Sequence, residues 1–146
     1  MGLNVIIAED EEGLRSLLIS ILNEHPSKPT VCAVENGEKL VHVFRDAAYE
    51  GKKYDLIITD YRMPRKTGIE AIVELGEDRP PVVLMTATPP ERKECMGLDI
   101  KPWNTIAKDK KTVYCLLKPF RLSELFEVLS YYSSCCPNFQ QQSQID

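Results

Sequence analysis

Five side chains have the types and placement for chemistry on a phosphoryl group: Glu9, Asp10, Asp60, Thr86 and Lys118. Asp60 ends the run Tyr54-Asp-Leu-Ile-Ile-Thr-Asp60 and opens a turn-forming segment with Met63-Pro64 and Gly68. Apolar residues without alternation fit a strand covered on both faces of a parallel sheet. A carboxylate is thereby presented at a strand's C-terminal edge, where open α/β sheets place their ligands. Glu9 and Asp10 follow a second such run, Leu3-Asn-Val-Ile-Ile-Ala8. If the two strands are neighbours, the three carboxylates lie close together, and each raises the pKa of the others unless a cation compensates. Mg²⁺ suits such a site, because it takes oxygen ligands and keeps waters that a phosphate can replace. Taken alone, Glu9-Asp10 also reads as acidic residues at the positive end of the next helix. That reading gives no reason for Asp60 to close a buried strand.

Lys118 ends Val113-Tyr-Cys-Leu-Leu117 and precedes Pro119, which favours extended backbone at residue 118. Its ammonium is expected at the same sheet edge, against a carboxylate and a phosphoryl oxygen; the competing reading is a solvated strand-end lysine. Thr86 ends Val82-Val-Leu-Met-Thr86 and is followed by small Ala87, so its hydroxyl could donate to a phosphoryl oxygen. Alone it is an ordinary strand-end or capping threonine.

The elements that must position these groups alternate along the chain. Strands are expected at 3–8, 30–34, 54–60, 81–86 and 112–117. A helix over 11–24 carries Leu14, Leu17, Leu18, Ile21 and Leu22 on one face. A second, capped by Asn36, carries Leu40, Val43, Phe44, Ala47 and Ala48 and stops at Gly51. A short helix from Gly68 carries Ile69, Ile72 and Val73. Thr88-Pro-Pro-Glu91 has the pattern of a helix start, with Thr88 as N-cap and an early stop at Gly97. Residues 98–111 show no periodicity, and Leu122, Leu125, Phe126 and Leu129 mark a last helix. Strands interleaved with helices imply right-handed crossovers and a single domain over 1–132. Residues 133–146 read as a polar tail or the start of a linker.

Bulk properties narrow the function. A 146-residue chain with 43% hydrophobic residues supports one core and is not disordered. The net charge of −4 argues against direct nucleic-acid binding. No apolar run is long enough to span a bilayer, and the first residues lack a signal-peptide pattern, so a cytoplasmic setting is expected. The five cysteines are odd in number and include no Cys-x-x-Cys, as expected of thiols in a reducing compartment. Cys135-Cys136 could be redox-active or lipid-modified, against a plain tail. Neither His25 nor His42 neighbours another plausible ligand.

Glu9-Asp10, Asp60 with Met63-Pro64 and Gly68, Thr86-Ala87 and Lys118-Pro119-Phe120, in that order, resemble the receiver domain of two-component response regulators. The resemblance covers residues 3 to about 132. It implies an α/β fold, a doubly wound (βα)5 flavodoxin-like domain with parallel strand order 2-1-3-4-5. It implies that Asp60 accepts phosphate from a histidine kinase or a histidine phosphotransfer protein. It further implies that Glu9, Asp10, Asp60 and the Arg62 backbone carbonyl hold Mg²⁺, and that Thr86 and Lys118 meet the phosphoryl group. The output would be a shift in the surface of the fourth helix, fifth strand and fifth helix.

The chain departs from that pattern in two places. Thr86 and Lys118 are 32 residues apart, more than the pattern requires, with an atypical extended segment between strands 4 and 5. Residues 92–111 hold six basic and three acidic residues in an otherwise acidic chain, together with the single Trp103. This segment and the last helix are the expected surface for a downstream protein, and Trp103 would either plug the core or anchor that partner. Cys115 stands where the family often has an aromatic residue that couples site to surface, and Tyr114 should face the other side of the sheet. The alternative reading is a receiver-like module that binds partners without phosphorylation. A phosphatase-like hydrolase would need a second acid after Asp60, where Arg62 stands, so turnover of a free substrate is not expected.

Overall fold

The computed structural model describes residues 2–134. Its elements are β1 (Asn4–Ala8), α1 (Glu12–Asn23), β2 (Thr30–Val34), α2 (Gly37–Tyr49), β3 (Leu56–Asp60) and α3 (Gly68–Leu75). After these come β4 (Val82–Thr86), a 3-10 turn (Arg92–Glu94), β5 (Ile100–Pro102), β6 (Val113–Leu117) and α4 (Leu122–Ser134). All strand pairings are parallel, in the order β2-β1-β3-β4-β6-β5. The expected 2-1-3-4-5 order is present with β6 as its fifth strand. The correction is a sixth strand, β5, added outside it from within the irregular segment.

Side-chain alternation divides the core into two layers. Val5, Ile7, Leu56, Ile58, Val83, Met85, Tyr114 and Leu116 face one way and pack with Leu18 and Leu22 of α1 and Leu125, Val128 and Leu129 of α4. Ile6, Ala8, Ile57, Val82, Leu84 and Val113 face the other way, against Leu40 and Val41 of α2 and Ile69, Ala71 and Ile72 of α3. Each fully buried aliphatic side chain contributes about 1.5–3 kcal/mol, so the carboxylate-bearing strands are among the most firmly held parts of the molecule. Two helix faces differ from the periodicity: Leu17 and Ala48 are exposed, whereas Val41 is buried. The Asn36 side chain does cap α2, accepting from the Lys39 N–H at 2.8 Å.

The helix expected from Thr88 does not form; a 3-10 turn over Arg92–Glu94 stands in its place. Pro90 disfavours helical backbone at Pro89, and Met96 and Gly97 both take positive φ (52° and 84°). Too few residues remain between them to support a helix. The chain instead runs out to the sheet edge, where Leu98 and Ile100 pack on the second core layer. The Trp103 N–H then bonds the Cys115 carbonyl at 2.9 Å. Trp103 is the plug, not the anchor. It is 6% exposed, and its ring meets Tyr114, Tyr131 and Tyr132. The ammonium of Lys108 sits 4.3 Å from the Trp103 ring centre and 5.0 Å from that of Tyr131. Tyr114 does face away from Cys115, into the first layer. Among the described residues Cys32, Cys95 and Cys115 are free thiols; Cys135-Cys136 and the tail from residue 135 lie outside the described residues. No helix among the described residues is long and apolar enough to cross a membrane.

Candidate phosphoacceptor site

The central position of β1 and β3 brings the three carboxylates together. Pairing of Ala8 with Thr59 sets the ends of the two strands side by side, and one carboxylate oxygen each from Glu9, Asp10 and Asp60 lies within 4.8 Å of the others. Glu9 is 1% exposed, Asp60 9%, and Asp10 opens to solvent. Lys118, carried by the end of β6, reaches across β4 to both buried acids. Its Nζ is 3.1 Å from Glu9 Oε1 and 3.2 Å from Asp60 Oδ1.

Burial pushes the Asp60 carboxyl above the usual range, and Asp10 adds to the rise, while Lys118 and the Tyr61 N–H oppose it. Burial likewise raises Glu9, with Asp60 adding to it. Burial alone would lower Lys118, but Glu9 and Asp60 outweigh it and hold the ammonium charged above its ordinary range. Three acids facing one ammonium leave an excess of negative charge. A hard divalent cation with oxygen ligands, such as Mg²⁺, fits that excess.

The loop after β3 is set by close backbone approaches. The Gly68 N–H donates to the Tyr61 carbonyl at 2.8 Å. A Cβ on Gly68 would lie 2.2 Å from the Asp60 carbonyl oxygen, so only glycine lets α3 start against the acid's own peptide. Thr67 then caps α3, accepting from the Glu70 N–H while the Glu70 side chain accepts from the Thr67 N–H. Tyr61 donates its N–H to Asp60 Oδ1 at 3.0 Å, and its ring lies in the second core layer with Met63.

Thr86 is at the sheet edge, as expected, but its hydroxyl is turned onto its own loop. It donates to the Thr88 carbonyl at 2.8 Å and accepts from the Thr88 N–H at 3.3 Å. Lys118 is tied to the same strand end, its N–H bonding the Thr86 carbonyl at 2.8 Å. Arg62 follows Asp60 by two residues in the loop, and its guanidinium is 4.8 Å from the Tyr61 ring centre.

Two features went unread in the sequence. One is Glu94, which accepts from both Tyr61 and Arg62; its only signal was a Glu-x-x-Glu spacing from Glu91, masked by the apparent helix start at Thr88. The other is an apolar groove of about 530 Å³ beside Lys118, lined by Leu14, Leu17, Ile21, Phe120 and Leu122. Leu17 and Leu122 are each 54% exposed there. The exposed Leu17 breaks the expected buried stripe of α1, but that shows only once α1 is docked.

Residues 5–130 match the family model of the response regulator receiver domain. The chain is 31% identical over 126 residues, 86% of its length and 54% of the relative's, to the transcriptional regulatory protein PdtaR of Mycobacterium tuberculosis. It is 34% identical over 109 residues, 68% of its length and 22% of the relative's, to the regulatory protein AtoC of Escherichia coli. It thus spans about half or less of the length of these relatives. Among solved structures, the N-terminal domain of an uncharacterized protein from Wolinella succinogenes superposes with a TM-score of 0.67 and 26% identity, covering 92% of this chain and 96% of that one. The phosphorylated cyanobacterial phytochrome response regulator RcpA superposes with a TM-score of 0.66 at 20% identity, covering 92% and 93%. This second likeness is one of fold.

Proposed function

Since the chain belongs to the response regulator receiver family, whose general function is phosphorylation at an aspartate, we propose that its own phosphoacceptor is Asp60. The observation that carries this reading is the convergence of Glu9, Asp10, Asp60 and Lys118 at one sheet edge. The described hydrogen bond and ion pair of Asp60 both fall on Oδ1, so Oδ2 is the oxygen assigned to attack. It forms a bond to phosphorus as the P–N bond of a phosphohistidine breaks, and the electron pair stays on the departing imidazole. Lys118 faces the charge that builds on the phosphoryl oxygens, and fixed charges of this kind are the main source of rate in phosphoryl transfer. Glu9, Asp10, Asp60 and the Arg62 carbonyl would hold Mg²⁺, which when bound draws charge from the phosphoryl oxygens and offsets the clustered carboxylates. Thr86 gives up its bond to the Thr88 carbonyl to donate to the new phosphoryl group, and that turn shifts the segment after it.

The phosphodonor is a histidine kinase or histidine phosphotransfer protein in the cytoplasm. We assign its docking to the apolar groove at α1 and the start of α4, because exposed Leu17 and Leu122 border the groove that Lys118 lines. The receiver domain is assigned to residues 1–132, with 133–146 as tail or linker. Residues 92–111 and α4 form the surface for a downstream protein, where Ile106 is 95% exposed. Acetyl phosphate or a phosphorylated kinase with Mg²⁺ should add one phosphate to the wild-type chain and none to Asp60→Asn, which should remain folded. Equal labelling of the two by intact mass would refute the assignment; no labelling of either would favour the phosphorylation-independent module.

A further inference from the structure

The short turn that replaces the expected fourth helix returns to the phosphoacceptor loop through one side chain. Glu94 Oε1 accepts from the Glu91 N–H at 2.8 Å, and the Glu94 N–H donates to the Glu91 carbonyl at 2.8 Å. The carboxylate is therefore fixed from its own side. Its other oxygen, Oε2, accepts from the Tyr61 hydroxyl at 3.2 Å and from Arg62 Nη2 at 3.1 Å. These are the two residues that follow Asp60.

This arrangement decides where the Arg62 guanidinium goes. Arg62 is two residues from Asp60, a span of at most about 7 Å of chain, and its side chain is 75% exposed. At that span a freed guanidinium would be drawn toward the negative cluster of Glu9, Asp10 and Asp60. In this structure it lies over the Tyr61 ring with its charge on Glu94. We propose that Glu94 is a positioning residue for the Asp60 site: it holds the Arg62 guanidinium off the three carboxylates and leaves them open to a divalent cation. The inference rests on the functional reading above and adds a residue to it. It also makes the 92–95 turn sense the phosphoacceptor loop directly, by a route that needs no aromatic residue at position 115. Any movement of residues 61–62 on phosphorylation must either drag or break the Glu94 contacts.

The test is Mg²⁺ binding by calorimetry to the full chain, in wild type, Glu94→Ala, Arg62→Ala and the double variant, with thermal unfolding to confirm folding. A unit positive charge about 4 Å from the metal position lowers cation affinity at least about fivefold even in a water-like dielectric. E94A should therefore bind Mg²⁺ at least about fivefold more weakly, and that penalty should vanish in the R62A background. An unchanged affinity in E94A overturns the inference. So does a penalty that persists without the Arg62 side chain, since it would mean that Glu94 only orders the loop. If E94A does not fold, Glu94→Gln decides. It keeps an acceptor for Tyr61 but loses the charge that holds Arg62, and wild-type affinity in E94Q overturns the proposal. A wild-type chain that binds no Mg²⁺ overturns the functional reading itself, whereas wild-type binding with an unaffected E94A overturns only the role of Glu94.

Discussion

Replacing Gly68 by alanine adds one methyl group where the structure has no space for it. The new Cβ would lie 2.2 Å from the Asp60 carbonyl oxygen and 3.1 Å from Thr59 Oγ1. Contacts of this kind essentially never fall below 3.0 Å, so α3 and the Asp60 peptide must separate by at least 0.8 Å. Neither side yields readily. Asp60 belongs to a central strand, and α3 is anchored by Ile69, Ala71 and Ile72, each at most 1% exposed. Overpacking of this kind costs about 1–3 kcal/mol, which for a chain of this size lowers Tm by about 4–8 °C at its middle value. The functional loss should be larger, because a displacement of about 1 Å at a reacting group costs about 100-fold in rate. Labelling by acetyl phosphate, followed by intact mass at saturating Mg²⁺, measures it. Gly13→Ala is the control: its nearest contact would be an ordinary 3.8 Å, and Ala in place of Gly within a helix should stabilise by about 0.5–1 kcal/mol. A folded G68A that labels within a few-fold of wild type would refute the argument that this glycine sets the geometry of the acid.

Further outcomes are expected at other positions. Asp10→Ala should abolish detectable Mg²⁺ binding in calorimetry and, by relieving repulsion on Asp60, raise Tm by about 2 °C; undiminished binding removes Asp10 from the ligand set. Leu17→Glu should slow transfer from a phosphorylated protein donor at least tenfold and leave labelling by acetyl phosphate alone; equal effects on both donors would refute the docking groove. Lys108 packs on Trp103 and Tyr131, so Lys108→Ala should lower Tm by a few degrees, in line with about 1–2 kcal/mol for a cation on aromatic faces. Lys110→Ala with Lys111→Ala should leave Tm within a degree and reduce the salt dependence of partner binding; the reverse pattern would contradict this division of roles. His25 is buried, accepts from the Ser27 N–H at Nδ1 and bonds Ser130 through Nε2. Burial lowers its pKa below 6.5, so its contribution to stability is complete above 6.5 and is lost as pH falls from there through the lower folded-state value. His25→Asn should flatten the pH dependence of Tm below 6.5, and an unaltered profile would clear His25 of it.

The meeting of the candidate site's groups was legible in the sequence because they sit at the ends of strands. A non-alternating apolar run that stops at a charged residue specifies both burial and the edge at which the charge emerges. Glu9, Asp60, Thr86 and Lys118 could thus be placed without knowing their distances. Alternation of strands with helices implied right-handed crossovers and a sheet covered on both faces, whereas the strand order came only from the resemblance to the receiver family. The segment from 87 to 112 was not legible, because its local signals conflict. Thr88-Pro-Pro-Glu91 signals a helix start, but the paired prolines and the positive-φ residues 96 and 97 leave too little chain to propagate it. Only the open edge of β6 decided that Ile100–Pro102 would become a strand, since backbone groups there find partners in the sheet and not in a helix. The plugging role of Trp103, the caging of Lys108 by aromatic rings and the reach of Glu94 back to Tyr61 and Arg62 all follow from that choice. Apart from the approach of Lys108 to Trp103 and Tyr114, they join residues 11 to 33 positions apart, and contacts at that separation leave no periodicity in the chain to be read.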